Sequence, residues 1–257
     1  YKDLTKCSKI AYDLNYDEIN LNVGCPSKAV QKGNFGACLM QDKIQVKNCL
    51  DAMHINKDIY VSIKCRIGIG LNFNYEYFEE FIEEILKSGV KIIYVHARNA
   101  ILSGISPKDN RNTPPLNYEF VKKIKVKYPK ITFILNGGID SIDKAVQLSK
   151  LHDGIMLGRL IQNNPFCLKN VDHLFFKETD QYIISENTII EYFNFIKPKV
   201  GKDSIYRLLS PLLNIFFGIP DGKQFKIDIH SNMKDNNFDI LEKIFLNFVK
   251  EKKILIN

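Results

Sequence analysis

The sequence predicts an α/β fold of parallel strands wound as a barrel, followed by an all-α domain. Three observations carry this. Short apolar runs alternate with helical periodicity from Glu18 to about Arg159. Each run ends in a small polar or glycine cluster, where barrel enzymes place their reacting groups. After Pro165 the strand-like runs stop and only helical patterns follow. Strand–helix alternation of this kind implies parallel pairing and right-handed crossovers. A doubly wound sheet fits the same alternation, but no G-x-G-x-x-G is present, so a barrel is expected.

In chain order, strands are expected at Glu18–Val23, Ile59–Lys64, Lys91–His96, Ile131–Asn136 and Asp153–Leu157. Helices are expected at Lys43–His54, Tyr75–Lys87, Tyr118–Lys127 and Ser141–Ser149, with Ser141 as an N-cap and Gly89 following Lys87-Ser88 where a helix ends. Five such units are too few to close an eight-stranded barrel. Amphipathic helices follow at Asn187–Pro198, Ser204–Phe217 and Asn237–Lys252, broken by Gly201 and Gly218-Ile219-Pro220. The expected domains are residues 1–167 and 168–257.

The 257 residues are 45% hydrophobic and 25% charged, enough for a real core. Six irregularly spaced cysteines without C-x-x-C argue against a zinc site or a disulfide scaffold, and for a reducing compartment. No apolar run is long enough to span a membrane. The formal charge of +7 is compatible with a nucleic-acid partner. From Leu168 to Asn257, however, 13 Lys+Arg face 12 Asp+Glu, so the basic excess lies in the first two thirds. The lysine run Lys122–Lys130 is expected to be a solvated helix face rather than an RNA site. The chain begins at Tyr1, and a piece cut from something longer is expected.

The clusters are read one at a time. Asn136-Gly137-Gly138 lies between a strand and a helix, where glycine N–H groups can approach a phosphate. Gly158-Arg159 repeats the pattern on the next strand, with a guanidinium suited to phosphate. Two ordinary tight turns are the plainer alternative. Lys64 at a strand end would point its ammonium into the barrel mouth, or else snorkel to solvent. His96 would donate to a cofactor or substrate oxygen, or serve the structure alone. Cys38 lies in a loop flanked by Gly33 and Gly36, whose mobility would carry a thiol over a substrate as general acid. A small buried apolar residue is the alternative. Cys25, within Gly-Cys-Pro, is expected to be structural.

Together, Glu18-Ile19-Asn20-Leu21-Asn22-Val23-Gly24-Cys25-Pro26-Ser27 and Phe35-Gly36-Ala37-Cys38-Leu39-Met40 resemble the tRNA-dihydrouridine synthases. Val95-His96-Ala97-Arg98 and the segment from Leu102 to Arg111, with Ser106-Pro107-Lys108-Asp109-Asn110-Arg111, narrow the resemblance to the DusA-like, 20/20a branch. It runs on through Asn136-Gly137-Gly138-Ile139 and Gly154–Arg159 to Gly218-Ile219-Pro220.

The resemblance implies an FMN-binding (β/α)8 barrel, of which the last five units are present, and a helical tRNA-binding domain. NADPH would reduce the flavin. Hydride would then pass to C6 of a D-loop uridine, at position 20 or 20a, and a cysteine would protonate C5. The implied acid is Cys38. The implied flavin contacts are Lys64, His96, Asn136, Gly137, Gly138, Gly158 and Arg159. The implied tRNA contacts are Phe35, Lys108, Arg111 and Arg207, while Ser210, followed by Pro211, stands where the family has a further basic residue. Three strands that precede Glu18 in the family, with a Pro-Met and a glutamine contact to the flavin, are not in this sequence. A cropped chain that binds FMN poorly and aggregates is therefore expected. The implied protein is a cytoplasmic monomer, or an organellar one if a targeting segment precedes Tyr1. The competing readings are an FMN barrel acting on a free pyrimidine, akin to dihydroorotate dehydrogenases, and a non-catalytic tRNA-binding fragment.

Overall fold

The computed structural model describes residues 1–55, 58–72, 74–178, 186–216, 218–233 and 237–252. These divide into two compact units. The first comprises Tyr1–Ile139 with Asp143–Leu157, and the second Asp140–Ile142 with the chain from Gly158 onward.

The first unit opens with helix α1 (Lys2–Asp13) and strand β1 (Glu18–Asn22). Then come α2 (Lys28–Lys32), a 3-10 turn over Gly36–Gln41, α3 (Lys43–Met53), β2 (Tyr60–Arg66) and α4 (Tyr75–Leu86). β3 (Ile92–His96), α5 (Tyr118–Lys127), β4 (Thr132–Asn136), α6 (Ile142–Ser149) and β5 (Gly154–Met156) follow, α6 straddling the boundary between the units. The five strands form one parallel sheet in the order β1-β2-β3-β4-β5.

Sequential order without a reversal, joined by right-handed crossovers, puts the helices on one face. The strands show it in their alternation. Ile63 and Cys65, Ile93 and Val95, and Phe133 and Leu135 are buried on the helix side, with Leu50, Phe78, Phe81 and Ile124 also in the core. The other parity carries Glu18, Asn20, Ser62, Lys64, Arg66, Tyr94, His96 and Asn136. That polar face is internally bonded. Ser62 Oγ donates to Glu18 Oε1 at 2.5 Å, Asn20 Nδ2 to Ser62 Oγ at 2.7 Å, and Tyr94 Oη to Glu18 Oε2 at 3.3 Å.

The strands fall where expected, with one difference of consequence. β2 continues two residues past Lys64, because Cys65 and Arg66 pair with Val95 and His96. Lys64 thus stands within the strand, and Arg66 takes its end. The helix α1 is not among the elements expected from the sequence, and of its residues only Ser8 is buried. Local side chains cap four helices of this unit, Ser27 accepting from Val30 N at the start of α2. Asp42, Asn74 and Asn117 each accept from the backbone N–H three residues on, at the starts of α3, α4 and α5.

The second unit holds α7 (Arg159–Asn163), α8 (Val171–Phe176), α9 (Glu186–Ile196), α10 (Ile205–Leu209), α11 (Gly222–Met233) and α12 (Phe238–Lys252). Its core is aromatic: Phe193, Phe216, Phe225, Phe245 and Phe248 are buried, and Phe225 meets Phe216 and Phe245 edge-on at 4.7 and 4.9 Å. The continuous helix expected over 204–217 does not form. α10 stops at Leu209 and turns follow, since Pro211 has no N–H to donate to Arg207. Phe217 lies outside the described residues. No described helix is long and apolar enough to cross a membrane.

Candidate active site at the strand ends

Parallel pairing aligns the site residues in rows. Asn22, Lys64 and Tyr94 are register partners across β1, β2 and β3. One pleat further on, Arg66, His96, Asn136 and Met156 form the next row. A polar row of this kind comes directly from the period-two alternation of each strand meeting a common register.

Lys64 is half-buried, and its ammonium has no hydrogen-bond or ion-pair partner among the described residues. Burial lowers its pKa from 10.5, and the nearby Arg66 charge adds to the effect. An ammonium in this condition favours an incoming anion or acceptor. His96 is buried, and its ring lies against Gly137. A Cβ on Gly137 would stand 2.5 Å from His96 Cδ2, so only glycine fits. Gly137 and Gly138 both have left-handed backbones, with φ of +114° and +63°. Tyr118 Oη donates to Gly137 O at 2.6 Å, and Lys144 Nζ to Gly138 O at 2.7 Å. The two carbonyls are thus held by the protein. No described residue accepts from the N–H of Gly137 or Gly138. Asn136 Nδ2 is committed to Met156 O at 2.9 Å, which leaves its Oδ1 as the atom available to a ligand.

Arg66 was not singled out from the sequence, although its Lys-Cys-Arg cluster ends a strand as the other clusters do. Its Nε donates to Gly24 O at 3.1 Å, and one terminal nitrogen donates to Asn99 O at 3.1 Å and Asn110 O at 2.9 Å. Burial and the Arg98 charge lower its pKa to about 10. The Asn110 side chain in turn bonds both backbone groups of Ile101, at 2.8 and 2.9 Å. The loop that presents Lys108 and Arg111 on the surface is therefore stapled to the end of β2.

The loop after β1 differs from expectation. Gly36 does not confer mobility: it has φ +69°, and a Cβ there would lie 2.4 Å from Cys25 O. Ala37 N donates to that same oxygen at 2.8 Å. The glycine is required for close approach, and the turn is packed down on Cys25. Cys38 Sγ donates to Phe35 O at 2.9 Å within its own turn. The Phe35 ring is 63% exposed and lies beside Gly33. Cys25 stands next to β2: Val23 N donates to Lys64 O at 2.9 Å, and a Cβ on Gly24 would lie 3.4 Å from that oxygen. A Cys25 thiolate would raise the pKa of both Lys64 and Arg66.

The lysine run is largely neutralised, as expected of a solvated face. Lys125 pairs with Asp153, and Lys127 with Glu79 and Glu83. In the second unit, Gly158 is the N-cap of α7 and Arg159 its first residue. Open space surrounds the position of a Gly158 Cβ. Arg207 is exposed on α10 and pairs with Asp203 at 3.4 Å, while Ser210 Oγ donates to Arg207 O at 3.1 Å.

The fold and site define an α/β protein whose polar and glycine residues gather at the carboxyl ends of parallel strands. The family model described as dihydrouridine synthase (Dus) matches residues 1–250. The tRNA-dihydrouridine(20/20a) synthase of Shewanella oneidensis is 37% identical over 240 residues, covering 93% of this chain and 71% of that protein. The protein of the same name from Vibrio cholerae is 39% identical over 237 residues, 90% of this chain and 71% of its own length. That of Yersinia pestis is 38% identical over 231 residues, 89% and 67% respectively. This chain belongs to the dihydrouridine synthase family and is an oxidoreductase.

Proposed function

We propose that this protein reduces uridine to 5,6-dihydrouridine in the D-loop of tRNA, at position 20 or 20a, with FMN as cofactor and NADPH as reductant. The observation that carries the reading is the half-buried Lys64 ammonium, without a partner among the described residues, beside the register row of His96 and Asn136. The residues fit a flavin phosphate as well. The N–H groups of Gly137 and Gly138 have no acceptor of their own among the described residues, and the positions carry no Cβ to block approach. When bound, FMN supplies hydride for C6 of the uracil ring.

The chain's own residues divide the remaining work. Gly137 and Gly138 hold phosphate; Gly158 and Arg159 are flavin contacts by resemblance. Lys64 holds negative charge at the ring system, with His96 and Asn136 Oδ1 orienting it. Protonation at C5 needs a general acid on the opposite side of the base, a task a thiol can serve. Cys38 is the residue the sequence pointed to; the adjacency of Cys25 to Lys64 and Arg66 supports Cys25 instead. Phe35, Lys108 and Arg111 contact tRNA from the first unit, and Arg207 from the second. Ser210 contributes by shaping α10 rather than by charge. The barrel architecture, a helical tRNA-binding domain within the second unit from Gly158 onward, a monomeric state and a cytoplasmic location complete the reading.

The test is titration of the purified chain with FMN, followed by flavin fluorescence quenching, and then NADPH oxidation with unmodified tRNA. Saturable quenching and dihydrouridine in the product support the reading. Turnover of free uracil compounds but not tRNA would establish the free-pyrimidine alternative. Salt-sensitive tRNA binding without flavin binding would establish the non-catalytic one.

A further inference from the structure

The second unit carries a groove of about 710 Å³ at the start of α10, lined by the loop Val200–Ser204, Tyr206, His230 and Met233. Tyr206 and His230 come from different helices, yet their rings stack with centroids 5.8 Å apart and planes within 23°. Both side chains are exposed; Tyr206 is 57% accessible. A core role does not account for them, since the aromatic core of this unit lies at Phe193, Phe216, Phe225 and Phe245. Lys202 lines the groove, and its ammonium has no partner among the described residues. Nearby in the chain, Lys199 sits 4.0 Å over the exposed Phe195 ring. Asp203 is the acidic member of the lining, and Arg207 pairs with it at 3.4 Å.

Exposed rings interleaved with cations are the arrangement that holds single-stranded nucleic acid, with bases on the rings and phosphates on the lysines. The groove volume suits one nucleotide. We propose that the Tyr206–His230 pair is a stacking platform for one unpaired tRNA base, with Lys202 on its phosphate. The proposal rests on the reading of tRNA as substrate and adds the place and manner of one contact.

The chain contains no tryptophan, so Tyr206→Trp gives a single reporter at the platform. Titration of that variant with unmodified tRNA should quench its fluorescence saturably. Tyr206→Ala should weaken tRNA binding by about tenfold, and Tyr206→Phe, which keeps a ring, should restore it. Lys202→Ala should reduce the slope of log affinity against log salt by about one. Circular dichroism of each variant checks that the unit stays folded. Undiminished tRNA binding by Tyr206→Ala, with no quenching in Tyr206→Trp, overturns the platform and leaves tRNA as substrate. Failure of the unaltered chain to bind tRNA overturns both.

Discussion

Gly137 lies directly against His96: a Cβ there would come within 2.5 Å of ring Cδ2 and 2.9 Å of Nε2. The strand row that carries His96 and Asn136 is thus closed off by a residue with no side chain. Its φ of +114° is also unfavourable for any L-residue. Gly137→Ala is expected to destabilise the protein by roughly 1–3 kcal/mol through backbone strain alone. Displacement of the His96 ring should weaken FMN binding beyond that. Thermal unfolding and flavin titration of the same variant separate the two effects. Native stability together with native affinity would mean that the close approach carries neither.

Lys64 should cost stability in exchange for function. Its pKa is lowered by burial, then by Arg66, so the ammonium is held at a penalty below that pKa. There both folded and unfolded chains carry the proton, and the penalty is complete. As pH rises from the lowered value toward 10.5, the folded chain releases its proton first and the penalty fades. Lys64→Met is therefore expected to be more stable than the native chain at neutral pH without flavin, with the difference shrinking at alkaline pH. FMN affinity should fall about tenfold or more, the scale of one charge-assisted hydrogen bond. Denaturant titrations across pH give the first result, and fluorescence titration the second.

Arg66 joins three carbonyls from three segments: Gly24, Asn99 and Asn110. Arg66→Met keeps much of the volume and removes every donor. Three carbonyls would lose a charged partner, partly offset by removing a buried charge. A net loss of roughly 2 kcal/mol or more is expected in urea unfolding. Because Asn110 sits between Lys108 and Arg111 in the chain, KM for tRNA should rise more than kcat falls. An unchanged KM would separate Arg66 from the tRNA loop.

Arg66 also marks the limit of what the sequence made legible. Strand positions followed from β-branched runs, and the grouping of Lys64, His96 and Asn136 from clusters at their ends. Those signals are local, with a period of two residues. The role of Arg66 depends on carbonyls 33 to 44 residues away, which no periodicity encodes. Gly36 misled for a related reason: a glycine needed for close approach and one needed for mobility look alike in sequence. Only the nearby Cys25 carbonyl distinguishes them. α11 escaped notice because Phe225 and Ile229 alone among its large apolar residues are buried. A helix docked through so few residues leaves little amphipathic trace.

Cys25 and Cys38 make opposed predictions for the proton donor. The Cys25 carbonyl accepts from Ala37 N, a backbone bond that alanine at either cysteine leaves in place. Alanine at each site removes only the sulfur. Cys25→Ala should lower turnover about 10²–10⁴-fold, the usual worth of general acid catalysis, and leave FMN and tRNA affinity intact. Cys38→Ala should cost less than about tenfold, since its Sγ is occupied with Phe35 O. The reverse pattern in single-turnover assays on unmodified tRNA would return the role to Cys38.

Ser210 and Pro211 act as a unit that ends α10. Proline at 211 leaves Arg207 O without its helical donor, and the Ser210 hydroxyl supplies one from 3.1 Å. The site is exposed, so water can replace a lost hydroxyl in part. Ser210→Ala is expected to cost about 0.5–1 kcal/mol. Pro211→Ala returns an N–H to the same carbonyl and should lengthen the helix by a turn, visible as added helical signal in circular dichroism. In that background the hydroxyl has no carbonyl left to satisfy, so Ser210→Ala should become nearly neutral. The coupling between the two substitutions is then the measured quantity. Additive costs would mean that Ser210 stabilises something other than the carbonyl left open by proline.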